Sequence, residues 1–491
     1  MSHRTAIAGH HVPRLGYERH RPEETVLYGV VQAELETFLA RERDRPLPRF
    51  VEREFRAFLE CGILAHGFLR VHCDACGHDR LVAFSCKGRG FCPSCGGRRM
   101  ADTAAHLVDR VLPDVPVRQW VLTLPFALRY RLAFDARLAS AVLREFVLEV
   151  FASYRRRARQ GGPVPRPRCG AVTFIQRFGD ALNLNIHFHT LVLDGVHEHY
   201  GMPGMRFRPL PPPDDDEVRL VVEKITLRVN RLLDRIGVGS EADPAAADPL
   251  ATDQPRLAGL AAASVRGLDG EGRRPARCGD RIDPDDLSAS SKLRCAAASG
   301  FTLHADVAVP ARDRRRLERL CRYAARPPVA TERLERLPDG RLLYRLSHRW
   351  RDGTAAILFE PQHLLEHLVP LIPAPRAHLV RYHGVLAPCA GWRDRVVPVP
   401  TSDDRPASAP APVTTGGGRI PRRYAWANLL RRVFAIDVLE CPACGGPLRI
   451  LAAIHPPDTT RAILDCLGLP SRPPPTLAAR PDPALSAPPE W

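Results

Sequence analysis

Apolar and polar residues alternate along LNLNIHFHTLVLDG (182–195), with Ile186, Phe188, Thr190 and Val192 on one side and Asn185, His187 and His189 on the other. Period two predicts a β-strand with one apolar face and one face carrying two imidazoles. AVTFIQRF (171–178) predicts a neighbouring strand, and Gly179-Asp180 between the two runs marks a hairpin. FTLHADVAV (301–309) predicts a further strand. Helical spacing governs residues 25–43, the following RFVEREFRAFLECGILAHGF, and LASAVLREFVLEVFASY (138–154). It also governs 311–324, where a helix stopping before Pro327 buries Leu317, Leu320, Cys321 and Ala324 on one face. Tyr323 falls off that face, among Arg316, Arg319 and Arg326.

Periodicity fails in two places. Residues 238–298 are rich in Ala, Asp, Gly and Pro and predict a flexible insertion, whereas VPVPTSDDRPASAPAPVTTGGG (397–418) is a linker. The predicted fold is α+β. A helical and zinc-ribbon N-terminal module (20–110) precedes an antiparallel-sheet domain (115–396), a linker (397–420), a small C-terminal CxxC module (421–468) and a disordered tail (469–491).

At 491 residues the chain exceeds the size of a single core. No apolar run approaches the ~20 residues of a membrane span, and the N-terminus lacks the apolar stretch of a signal peptide. A cytoplasmic protein with no membrane partner is expected. The net charge of +16 arises from 71 basic and 55 acidic residues, with Lys87, Lys224 and Lys292 the only lysines. Such an excess favours polyanions, chiefly nucleic acid.

In a reducing compartment the 14 cysteines read as thiols and metal ligands. HCDACGHDRLVAFSCKGRGFCPSCGG places Cys73 and Cys76, then Cys92 and Cys95, as two CxxC pairs with fifteen residues between them, the spacing of a four-cysteine zinc ribbon. Cys86 is a fifth thiol able to replace one of the four. Between Cys86 and Cys92, Lys87 and Arg89 stand among glycines that let the backbone approach a phosphate, with Arg98 and Arg99 beyond. Cys441 and Cys444 form a third pair, either completed by His455 and Cys466 or standing as a half-built knuckle.

His187 and His189, at i and i+2, point into one volume and can share a divalent ion. His197 and His199 repeat the spacing in VHEHYG, where a loop is expected. Arginines around Tyr323 would stabilise its phenolate and bind phosphate beside it.

The set GFLRVHCDACGHDRLVAFSCKGRGFCPSCGGRRM, LNIHFHTLVLDGV, GFTLHADVAV, LCRYAARPPVATERL, LVRYHGVLAP and YAWANLLRRVFAIDVLECPACGGPLRI resembles the rolling-circle transposases of the HUH class. Within that class it is most similar to the insertion-sequence group known by the number ninety-one and its common-region relatives. The resemblance implies an HUH nuclease sheet in which His187, His189 and a third residue hold Mg²⁺ or Mn²⁺. Tyr323 would be the catalytic nucleophile, forming a 5′-phosphotyrosine during transposition of single-stranded or hairpin-forming element ends. Three residues compete for the third position: His304, which is favoured, Asp306 and Gln176. The chain departs from the two-tyrosine pattern, with Arg319 and Pro327 four residues to either side of Tyr323. Two other readings are an HUH replication initiator or relaxase, and a zinc-ribbon DNA-binding regulator without catalysis.

Overall fold

A computed structural model describes residues 20–200, 204–237, 248–279, 293–398, 426–434 and 437–480. The chain forms two compact units that cut the sequence differently from the expected domains. One comprises residues 1–22, 60–85 and 421–473; the other comprises 23–59, 86–420 and 474–491. Most of the expected linker, from residue 399, lies outside the described residues.

The larger unit is built on an antiparallel sheet. Its strands run in the order Val380–Gly384, Gly170–Phe178, Leu184–Leu193, Val117–Thr123, Phe301–His304 and Cys295–Ala298. The histidine strand, Leu184–Leu193, is interior, so both its faces must be covered. On one face Ile186, Phe188 and Val192 join a core with Val142, Phe146 and Val150 of the helix Ala136–Gln160. Asp135 starts that helix by accepting from the amides of Arg137 and Leu138. On the other face Leu191, Val172 and Phe174 pack with Leu107 and Val108 of the helix Pro93–Arg110 and with Leu317, Leu320 and Cys321 of the helix Arg314–Ala324. The four residues expected to face the core from this tyrosine helix, Leu317, Leu320, Cys321 and Ala324, are all buried.

Between the two strands, the Gly179 amide donates to the Asn183 carbonyl at 2.8 Å and Leu182 adopts a left-handed φ of +58°. Asp180 anchors this turn by accepting from the Ser347 amide (2.8 Å) and hydroxyl (2.6 Å).

Three expectations need correction. The segment 238–298 is more than a flexible insertion: the helix Pro255–Val265 buries Leu257, Leu260, Ala261 and Val265, and Ala276–Gly279 and Cys295–Ala298 are strands. Its alanine-rich helix packs through small residues, which blurs the apolar period. Residues 238–247 and 280–292 lie outside the described residues. His197 stands on a strand, Gly195–Tyr200, paired with Gly204–Pro209, and its buried ring lies 5.0 Å from that of Phe207. The tail is ordered as far as it is described: Gln32 Nε2 donates to the Pro475 carbonyl at 2.7 Å, and the Arg480 amide donates to Thr37 Oγ1 at 3.0 Å. Residues 481–491 lie outside the described residues.

The smaller unit is a three-stranded antiparallel sheet in the order Leu448–Ile454, Phe68–Cys73, Asp79–Ala83. Leu464, on the helix Pro457–Cys466, is buried with Leu64 and Phe68. Among the described residues, no helix is long and apolar enough to cross a membrane.

Candidate functional site

The apolar half of the histidine strand's second face ends at Leu191, and beyond it the same face carries His189 and His187. Their rings lie 4.8 Å apart, edge to face. His187 Nδ1 donates to the Asn185 carbonyl at 2.8 Å, which leaves Nε2 as the lone-pair nitrogen. Gln119 Nε2 lies 2.9 Å from His189 Nδ1; turned end for end, this amide lets Nδ1 donate to its oxygen and leaves Nε2 free to ligate. Among the described residues the buried His189 Nε2 has no hydrogen-bond partner. Burial pulls the pKa of His187 down to about 4, against the upward effect of its bond to Asn185, with Arg326 and Arg129 adding repulsion. His189 is held well below its ordinary value by burial, then by His187 and Arg326. Both imidazoles are therefore neutral at pH 7, the form that ligates metal.

Gln176 stands directly opposite His187 across the hairpin. Its Nε2 donates to the carbonyls of Tyr323 (3.3 Å) and Ala324 (3.0 Å), tying the histidine face to the end of the tyrosine helix. Its Oε1 is buried without a hydrogen-bond partner among the described residues, as is Asn185 Oδ1. Unsatisfied buried acceptors cost about 1–3 kcal/mol each, and here they cluster beside two neutral imidazoles. This donor set fits a divalent cation held by two nitrogens and an amide oxygen.

Among the described residues, no third histidine, cysteine or carboxylate groups with the pair. His304 is reached from His189 through Val121, two strand spacings or about 10 Å across the sheet. Asp306 is engaged with Arg294 at 2.6 Å. Gln176 is thus on the strand next to the histidine pair, whereas the expected His304 is two strands from His189.

Tyr323 is half-exposed, and its ring centre lies 5.8 Å from that of His189. Of the three arginines expected around it, Arg326 is the one laid on the ring, its guanidinium 4.9 Å from the centroid. The same group lies 5.5 Å over Phe178, and its buried Nε has no hydrogen-bond partner among the described residues. Arg326 also lines an open cavity of about 390 Å³ together with Pro93, Asp180, Thr331 and Tyr344.

The cysteines fall into two groups that differ from the expected foursome. Cys73 and Cys76 stand with Cys441 and Cys444, whereas Cys92 and Cys95 stand with Cys86. The reason is local backbone. Cys73–Cys76 closes a tight knuckle after a strand, while Pro93 begins a helix immediately after Cys92, so Cys95 lies on that helix. Neither His455 nor Cys466 joins Cys441 and Cys444; His455 stacks on Phe84 at 4.4 Å. The glycines near Lys87 also have a packing role. A Cβ on Gly88 or Gly90 would meet the Glu54 carboxylate, which accepts from the Gly90 amide at 2.6 Å. Arg89 and Arg99 bond backbone carbonyls of Ala377 and of Lys87 and Gly88.

Residues 170–393 match the family described as Putative transposase (Y2_Tnp), and residues 30–124 match the Transposase zinc-binding domain (Zn_Tnp_IS91). No curated protein and no solved structure matches the chain. Gln176, His187, His189 and Tyr323 lie within the first match, and Cys73, Cys76, Cys86, Cys92 and Cys95 within the second; Cys441 and Cys444 lie outside both. The zinc-binding match and the thiol groups together support structural zinc, and the transposase match supports action on DNA. Together, and in this order, the two matches support a transposase of IS91 type.

Proposed function

We propose that the chain cuts and rejoins single-stranded DNA at insertion-sequence ends by HUH chemistry, with Tyr323 as the attacking residue. The observation that carries this reading is the meeting, on one sheet face, of two neutral histidines, the orphaned Gln176 Oε1 and a half-exposed tyrosine 5.8 Å from His189. His187, His189 and Gln176 would hold Mg²⁺ or Mn²⁺, which when bound polarises the scissile phosphate.

The Asn185 carbonyl fixes the tautomer of His187, and the Gln119 amide orients His189. Gln176 ties the site to the backbone that carries Tyr323. The Tyr323 oxygen attacks phosphorus in line and gives its proton to solvent. The P–O3′ bond breaks, and the departing 3′-oxygen takes up a proton. The products are a 5′-phosphotyrosine and a free 3′-hydroxyl, so the ester bond energy is kept and no ATP is needed. A 3′-hydroxyl attacking that phosphotyrosine reverses the exchange and regenerates the tyrosine, which lets a single tyrosine serve both steps. Arg326, laid on the ring, supplies positive charge for the phosphate.

The test uses single-stranded oligonucleotides from the element ends with Mg²⁺ or Mn²⁺. Wild type is expected to nick them, whereas His187→Ala binds with affinity within about twofold, because binding rests on distributed basic contacts, and does not cut. Equal nicking by the two proteins contradicts the reading. Binding without nicking by wild type favours a DNA-binding regulator instead.

A further inference from the structure

We propose that Cys73, Cys76, Cys441 and Cys444 bind a zinc ion that staples the C-terminal CxxC module onto the ribbon strand. The matched zinc-binding domain ends at residue 124 and contains only half of this site.

The four Sγ atoms all lie within 4.8 Å of one another, with Cys73 to Cys444 and Cys76 to Cys441 both at 3.5 Å. A tetrahedron of thiolates at the usual Zn–S distance of ~2.3 Å has sulfurs about 3.8 Å apart. The two halves also share one backbone design. CDACG and CPACG repeat the pattern Cys-x-Ala-Cys-Gly, and Gly77 and Gly445 take left-handed φ values of +72° and +74°. Each of these glycine amides donates to the carbonyl of the first cysteine of its knuckle at 2.9 Å. The Cys73 amide donates to the His78 carbonyl at 2.9 Å, and the Cys441 amide to the Gly446 carbonyl at 2.7 Å. Two equivalent knuckles facing each other are what a closed four-thiolate site requires, and the positive φ explains why glycine follows each second cysteine.

The surroundings are arranged to hold these knuckles together. Phe68–Cys73 pairs with Leu448–Ile454, ending at Cys73 opposite Leu448. Val71, Cys73, Cys441 and Leu448 form a small core. Arg449 holds Asp74, between the first two cysteines, at 2.7 and 3.0 Å, and Arg80 donates to the Val438 carbonyl at 3.1 Å. The sulfur pairs span 371 and 365 residues of sequence, so metal binding closes a very long loop. So small a core needs such a closure.

The test is thiol protection in the purified full-length protein under a non-thiol reductant, read by alkylation and peptide mass mapping. Cys76 and Cys444 are exposed, as are Cys389 and Cys466, which belong to neither group. The expected result is that Cys76 and Cys444 alkylate at least about tenfold more slowly than Cys389 and Cys466, and that a chelator abolishes the difference as zinc is released. The double variant Cys441→Ser/Cys444→Ser should carry about one zinc fewer than wild type and lose the protection of Cys76. Alkylation of Cys76 and Cys444 as fast as the two controls in zinc-loaded wild type overturns the proposal, whether or not the variant folds. Wild-type zinc content in a folded variant does the same.

Discussion

The histidine face and the paired knuckles are both shaped for a metal, and they differ in closure. The knuckles present four like ligands on two copies of one turn, and the ligand set is complete. The histidine face presents two imidazoles and an amide oxygen with acceptors left over, next to a half-exposed tyrosine. A closed thiolate site holds a fold, whereas an open mixed site leaves room for a substrate oxygen. The difference separates stability from chemistry within one chain, and variants at the two places should fail in different ways.

The largest effect is expected at the open site. His189→Ala should reduce cleavage by more than about a thousandfold while leaving zinc content and thermal stability close to wild type, because it removes a ligand from chemistry and not from the fold. Cys441→Ser should do the reverse, losing zinc and stability of the smaller unit while correctly folded molecules still cut. Cleavage assays paired with zinc analysis check both; a His189→Ala protein that loses zinc would erase the distinction.

Gln119→Leu tests the orientation of His189 without touching the metal. Losing an outer partner of a ligating histidine costs about 10–100-fold in metal affinity, so the Mn²⁺ concentration for half-maximal cleavage should rise by that factor while the rate at saturating Mn²⁺ is retained. An unchanged Mn²⁺ requirement would show that the 2.9 Å contact does not position the ring.

How much of this was readable from sequence depended on how far apart the partners lie. Period two placed His187 and His189 on one face, and helical spacing placed Leu317, Leu320, Cys321 and Ala324 in the core, because both rules act within a single element. Gln176 needed the cross-strand register: nothing in AVTFIQRF says which residue meets His187 until the turn at Gly179–Asn183 is set. The pairing of Cys73 and Cys76 with Cys441 and Cys444 was hidden by a nearer CxxC, since spacing alone cannot tell a knuckle from the helix start at Pro93. The shared Cys-x-Ala-Cys-Gly spelling was the available signal.

The smallest effect concerns buried histidines outside both sites. His197, His367 and His383 each have a pKa lowered to about 4, burial being the largest cause in every case. Their folded values lie below the unfolded one of about 6.5, so the unfolded chain takes up protons first. Stability is thus complete above about pH 6.5 and drains as pH falls toward 4. Replacing His367 with leucine should remove about 2 kcal/mol of the loss between pH 7 and pH 5, read from denaturant midpoints. An unaltered slope would mean that His367 is not protonated on unfolding.

If Tyr323 attacks DNA beside the histidine face, a covalent adduct forms on its side chain, and mapping that adduct reports the attack directly. With a labelled single-stranded substrate and Mn²⁺, wild type should yield a protein–DNA complex that survives denaturation and maps to the peptide containing Tyr323. Tyr323→Phe keeps the ring that Arg326 and His189 contact and removes only the hydroxyl, so it should bind the substrate and form no adduct. An adduct in the phenylalanine variant, or cutting by wild type without any adduct, would rule out Tyr323 as the nucleophile.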